Sequence, residues 1–281
     1  MSRFGLFLAW ALAAGGMGVA GMEPLPEVEE EHPSSRPDLL QSGETEGPPY
    51  NGQFTYVRIR YGDSGSDLRD LGRDRFGRRG WGRGPTWAHD WPRAETNFAK
   101  ILDATTFIDT YMRGNSGRVL TLDDPELFRY PIATIIEVGY WRPSDSDVAS
   151  LRRYLLKGGF LIVDDTRQDR GFEFQNLYSQ MKRVLPEYEI QVVPKDHEIF
   201  NSFFTIEDPS ALLPPYGRNI PEYLGIFEEN DPGKGRLMVM INFNQDLQEY
   251  WEFSDRGYYP IDLSNEAYKF GVNYLVYAFT H

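Results

Sequence analysis

Apolar positions along the chain follow two rhythms. In "FTYVRIRY", Phe54 to Tyr61, β-branched and aromatic residues alternate with Arg58 and Arg60, the period of two that marks a strand with one face less buried. Asp90-Trp91-Pro92 then has the form of a helix start, and Ala94, Phe98, Ile101 and Leu102 recur at helical spacing to about Thr105. "RVLTL" (Arg118 to Leu122) reads as a short strand and Asp123 to Phe128 as a turn or brief helix. "IATIIEV" (Ile132 to Val138) is apolar on both faces, which suits the middle of a parallel sheet. Ser144 and Asp147 form a capping box ahead of the stripe Val148, Leu151, Tyr154 and Leu155, and Gly158 ends that helix. The strand "FLIVDD" follows, closing on two acids, Asp164 and Asp165.

Further on, the pattern predicts a helix over Phe172 to Leu185, a strand at Ile190 to Val193 and a buried strand over Leu237 to Asn244. It also predicts a closing helix from Asn265 to about Thr280, capped by Ser264. The stretch from Asp208 to Pro221 looks irregular, and no internal repeat is present. Strands alternating with helices predict an α/β protein, doubly wound, with a mainly parallel sheet and helices on both faces in the flavodoxin-like manner.

Composition divides the chain into three parts. Arg3 precedes an uncharged run from Phe4 to Met22 with small residues at Gly18 and Ala20, so residues 1–20 read as a signal peptide cleaved after Ala20. An uncleaved anchor is the alternative, because the run is close to the minimum for spanning. Residues 21–50, rich in Glu, Pro and Ser, hold too few large apolar side chains to offset the entropy of ordering and read as an acidic disordered linker. Residues 51–281 form a single domain, with a Gly/Arg-rich loop at 63–86. Six arginines between Arg69 and Arg83 give that loop an RNA-binding look, but Asp67, Asp70 and Asp74 lie among them. The choices there are a mobile surface loop, an anion or partner contact, and nucleic acid.

Charge narrows the function classes. With 29 basic against 42 acidic residues, the net charge of -13 repels phosphate backbones and speaks against a nucleic-acid partner. The leader implies a periplasmic or secreted location, with no membrane span left after cleavage. The absence of cysteine excludes disulfides, thiolate metal sites and thiol nucleophiles.

In open parallel sheets ligands bind beyond the carboxyl ends of the strands. The residues found there by this reading are Glu137, Asp164, Asp165, Asn242 and Asp246, with Asp90 at a helix start and His197 four residues after another strand. Each has a plain structural alternative. Asp90 reads as an N-cap worth about 1 kcal/mol, Asp164 and Asp165 as acceptors in Asx-turns, and His197 as a hydrogen-bonded loop residue. Together they suggest an acidic ligand crevice, since several acids at one end of a sheet repel unless something compensates them.

The order of a Ser-x-x-Asp helix, Gly-Gly, strand and polar elbow at Ser144 to Asp165, followed by "DHEIF" at Asp196 to Phe200, resembles the class I glutamine amidotransferase-like fold. More closely, "FTYVRIRYG", "HDWPRAETNF", "LFRYP", "LRRYLLKGGFLIVDD", "VLPEYEI", "KDHEIF" and "FGVNYLVYAFTH", in this order from about Asn51 to His281, resemble the domain-of-unknown-function family numbered 4159. The resemblance implies the fold and leaves the activity open. In the amidotransferase fold a nucleophilic cysteine sits on the turn after the strand that Phe160 to Val163 resembles. Asp164 and Asp165 stand there instead, so glutamine hydrolysis through a thioester is excluded.

The primary expectation is an exported, non-catalytic module whose crevice binds a sugar or polar small molecule, or which docks another envelope protein. Trp91, Tyr140 and Trp141 are available to stack on sugar faces, or belong to the core. The alternative is a carboxylate hydrolase acting on a glycan, with Asp165 as base or nucleophile and His197 or Asp246 as partner. A metal-assisted version would use Asp164, Asp165 and His197, although no compact ligand motif supports it. No cofactor is implied.

Overall fold

The computed structural model describes residues 47–62, 85–168, 171–216 and 219–281. The leader, the linker to residue 46 and the Gly/Arg-rich loop over 63–84 lie outside the described residues. Seven strands form one sheet: β1 (Tyr56–Ile59), β2 (Gly117–Leu120), β3 (Ile132–Ile136), β4 (Phe160–Thr166), β5 (Ile190–Val192), β6 (Glu222–Phe227) and β7 (Leu237–Phe243). Their order across the sheet is β2-β1-β3-β4-β7-β6-β5. The neighbours from β2 to β7 pair in parallel, whereas β6 runs antiparallel to both β7 and β5. This is the mainly parallel, doubly wound α/β architecture that the alternation of elements predicts.

Helices α1 (Arg93–Thr105), α2 (Asp145–Leu156), α3 (Glu173–Val184), α4 (Leu247–Glu252) and α5 (Ile261–Thr280) cover the two faces. The period of two explains the division. Phe160 and Ile162 of β4 pack with Phe98 of α1, Trp251 of α4 and Phe270 of α5, while Leu161 and Val163 pack with Leu151 of α2 and Leu177 of α3. Ser144 does close a capping box on α2, and Gly158, at φ 103°, terminates that helix in a conformation a side chain would resist.

On the first face Phe98 lies 4.7 Å from Trp251, ring centre to ring centre. Gly271 of α5 makes that packing possible, since a Cβ there would come within 2.4 Å of Phe98 and 2.6 Å of Trp251. Full burial of a side chain such as Phe98 is worth about 1.5–3 kcal/mol, so this contact secures α1 and α4, the two helices that carry the site described below.

Three elements depart from the sequence reading. Strand β6 follows directly on the irregular stretch; "EYLGIF" opens on a charge and carries Gly225 in its middle, which weakens the strand signal. Helix α4 is a single polar-looking turn and a half whose Gln248, Glu249, Tyr250 and Trp251 are all buried. Helix α5 begins at Ile261 behind Pro260, leaving Ser264 inside the helix and 1 % exposed instead of capping it.

Candidate functional site

The carboxyl ends of β1, β3, β4 and β7 meet α1 and α4 in one acidic cluster. Parallel register sets Ile136 of β3 beside Asp164 of β4, so Glu137, directly after β3, and Asp165, near the end of β4, come side by side. Both take left-handed backbone, at φ 50° and 48°, as do Asp90 at 62° and Asn244 at 56°. Asp and Asn tolerate that region better than bulkier residues. In β4 the change of direction coincides with an irregularity in pairing between Val163 and Thr166, the kind of bulge that re-aims a side chain.

The two adjacent acids have different surroundings. The Asp164 carboxylate accepts hydrogen bonds from Asn242 Nδ2 (2.9 Å), Leu247 N–H (3.1 Å) and Gln248 N–H (3.0 Å), while the Tyr274 hydroxyl donates to Asn242 Oδ1 (2.8 Å). It ties the first turn of α4 to the sheet. Burial pushes it up to about 6, against the pull of those hydrogen bonds and with some help from Asp165. Asp165 Oδ1 accepts from Arg167 Nε at 2.6 Å, and its Oδ2 lies 3.6 Å from His89 Nδ1. Burial would push Asp165 up, but His89 and Arg167 outweigh it and hold the group below the usual carboxylate range.

His89 stands at the centre. Its Nδ1 is 3.6 Å from Asp90 Oδ1 as well as from Asp165 Oδ2, and its side chain is 39 % exposed, the opening of the cluster to solvent. Burial would lower it, yet Asp90, Asp165 and Asp246 hold the imidazole well above its ordinary value. Asp90 does not cap α1; that position falls to Pro92, and neither Asp90 carboxylate oxygen meets a hydrogen-bond donor among the described residues, although both are buried. Burial raises it far above the usual range, His89 opposes that, and Asp246, Glu249 and Glu252 add to it. Asp246 caps α4 by accepting from Glu249 N–H at 3.1 Å, lies 3.4 Å from Arg167 Nη2, and is also pushed well up by burial and its acidic neighbours.

Beneath the cluster Arg58 reaches out of β1 along the buried face. Its guanidinium donates to Glu95 Oε1 of α1 (3.0 Å), to Gln248 Oε1 of α4 and to the carbonyls of Trp87 (3.2 Å) and His89 (2.8 Å). The turn carrying His89 and Asp90 is therefore held by a charge inside the core. Alongside, the Arg167 guanidinium lies 4.5 Å over the Tyr216 ring and, with Asn219, Asn244, Gln245 and Asp246, lines a cavity of about 70 Å³.

Of the residues singled out in the sequence, Asp90, Asp165 and Asp246 thus surround His89. Glu137 sits at the neighbouring strand end, and Asp164 and Asn242 are engaged from below. His197 does not join them. It caps a short turn by accepting from Ile199 N–H, and its ring lies 5.5 Å from Phe227 and 5.6 Å from Tyr277, at the opposite end of the sheet where β6 ends and β7 begins. The chain turns back after β5, with His197 N–H donating to the Pro194 carbonyl, so counting four residues beyond a strand misplaces it. Trp141 is fully buried, and Tyr140 packs edge-on against Phe172.

Sequence reasoning passed over His89, Arg167 and Glu249. The signals were present as an imidazole directly ahead of Asp90, a cation two residues beyond Asp165, and an acid at the third position after Asp246. Two groups of potential metal ligands occur among the described residues, His89 with Asp90 and Glu249, and His89 with Asp165 and Asp246. Within each group the ligand atoms lie within 4.8 Å of one another.

The family model for a domain of unknown function, DUF4159, matches residues 75–279. No curated protein matches the chain.

Proposed function

Since the chain belongs to the DUF4159 family, which is defined without an activity, we propose from the site itself that the protein is a binding domain for a polar small molecule. Its crevice, at the carboxyl ends of the strands, takes a ligand rich in hydroxyl or ammonium donors, such as a sugar or an amine. One observation carries the reading: three buried carboxylate oxygens, both of Asp90 and Oδ2 of Asp165, have no hydrogen-bond donor among the described residues. Buried acceptors left unmet cost about 1–3 kcal/mol each, and more when charged. A ligand supplying donors relieves that cost. Arg167, which pairs with Asp165 and Asp246 beside Tyr216, forms the wall of the crevice.

The proposal includes export of the chain, supported by the leader-like residues 1–20, and an amidotransferase-like form of the fold, supported by the left-handed Asp165 next to the end of the central strand β4. The test is thermal melting and calorimetry of the chelated protein with neutral sugars, amino sugars and short diamines. A ligand at a hundredfold excess over its Kd stabilises by about 2.7 kcal/mol, a rise of roughly 5–11 °C for a domain of this size. Asp165→Asn abolishes the response. A flat response across the panel, or one unchanged in Asp165→Asn, refutes the reading.

A second reading has its own observation. His89 and Arg167 hold Asp165 below the usual carboxylate range while burial pushes Asp90 and Asp246 well above it, and separated proton affinities among neighbouring carboxyls are how hydrolases assign base and acid. Release of reducing ends from a glycan by the wild type, lost in both Asp165→Asn and Asp246→Asn, decides for this alternative.

A further inference from the structure

We propose that His89 Nδ1, Asp90 and Glu249 hold a divalent transition-metal cation, zinc or manganese in type, at the inner end of the crevice. The inference rests on the reading of that crevice as a ligand site and names its innermost occupant.

The donor atoms have suitable spacing. Around a tetrahedral ion with ligand bonds of about 2.0–2.2 Å, donor atoms lie roughly 3.3–3.6 Å apart, and His89 Nδ1 lies 3.6 Å from Asp90 Oδ1. All three ligand atoms fall within 4.8 Å of one another. One imidazole nitrogen with carboxylate oxygens is a donor set for zinc or manganese, whereas calcium asks for six to eight oxygens.

An independent observation points to a ligand at this position. Asp90 is 4 % exposed, and both its oxygens, like His89 Nδ1, lack a hydrogen-bond partner among the described residues. A divalent cation there gives the two Asp90 oxygens and the His89 nitrogen a common partner.

The other group of potential ligands is served already. Arg167 bonds Asp165 Oδ1 at 2.6 Å and approaches Asp246 Oδ2 at 3.4 Å, so a fixed positive charge occupies that side. On the proposed side the ligands are held from behind. The Tyr259 hydroxyl donates to Glu249 Oε1 (2.9 Å), Arg58 donates to the His89 carbonyl, and the Asp90 carbonyl accepts from the N–H groups of Arg93 and Ala94, both at 3.0 Å. Such supporting contacts fix ligand orientation, and their loss alone weakens metal binding about 10- to 100-fold.

The experiment uses full-length protein stripped with chelator and dialysed against Zn2+ or Mn2+, with bound metal counted by elemental analysis and melting followed in parallel. We expect one equivalent in the wild type, affinity at least about tenfold weaker in Asp90→Asn and in Glu249→Gln, and no change in Asp208→Asn, an exposed acid remote from the site. Asparagine accepts the left-handed backbone at position 90, and a cooperative melt of each metal-free variant shows that it is folded. If Glu249→Gln does not fold, His89→Gln, altered at a partly exposed position, takes its place with the same expected loss. Absence of stoichiometric binding, equal binding by Asp90→Asn, or loss confined to Asp246→Asn overturns the assignment. Stabilisation by sugars or amines in chelator without any cation response sinks this inference alone, whereas silence towards both classes sinks the binding-domain reading as well.

Discussion

Arg58→Met tests whether the site is built on a buried charge. The Arg58 and Glu95 side chains are both fully buried, and the guanidinium also bonds the carbonyls of Trp87 and His89. Removing one partner of a buried pair leaves the other uncompensated, at about 3–5 kcal/mol. For a domain of this size each kcal/mol moves the melting temperature by about 2–4 °C, so the variant should melt roughly 6–20 °C below the wild type at pH 8. The deficit depends on pH. In the native protein burial raises Glu95 and Arg58 pulls it back; without Arg58 burial loses its main opposition. A carboxyl raised in the folded state contributes most below its unfolded value and loses that contribution as pH climbs through the folded one. The Arg58→Met deficit should therefore be smaller near pH 4 and widen towards pH 8. Adding Glu95→Gln removes the stranded charge and should restore most of the stability, but not the anchoring of the His89 turn, so the double variant folds and binds ligand or cation poorly. Chemical denaturation of the four proteins at pH 4.5 and pH 8 measures the cycle. Wild-type stability in Arg58→Met at pH 8, or single-variant losses that add to within about 0.5 kcal/mol in the double variant, would refute the argument.

Other consequences can be measured directly. Asp164 is pushed up to about 6, so metal-free wild type should lose stability as pH rises from about 4 to 6, by up to about 3 kcal/mol at 1.36 kcal/mol per pH unit. Asp164→Asn should remove that part of the slope in urea melts. Gly271→Ala places a methyl against Phe98 and Trp251 and should cost about 1–3 kcal/mol, read as a lower midpoint in denaturant with unchanged slope. His197→Ala should leave ligand and cation binding within error, since that ring sits with Phe227 and Tyr277; a binding defect would mean that the two ends of the sheet communicate. Intact mass of the exported protein should begin at Gly21, and Met1 retained on a cytoplasmic protein would contradict export.

Periodicity by itself determined most of the architecture, because each strand and helix that packs on a common core must repeat its apolar face at its own period. The runs at Ile132 and Phe160, apolar on both faces, announced central parallel strands, and the Ser144–Asp147 capping box placed a helix start to the residue. The same logic brought Asp165 and Asp246, at the ends of parallel strands, and Asp90, at the start of a following helix, to one end of the sheet, since strand ends and the helix starts that follow them share an edge. Tertiary structure alone decided what each acid does. Asp164 and Asp165 are neighbours in sequence, yet a bulge in β4 turns one towards the backbone of α4 and the other towards His89. The chain turns back after β5 and so carries His197 to the far end, and the pairing of Arg58 with Glu95 across 37 residues set the turn on which His89 stands. Such outcomes depend on which charges end near which others after folding, a property of distance through space that one-dimensional spacing does not contain.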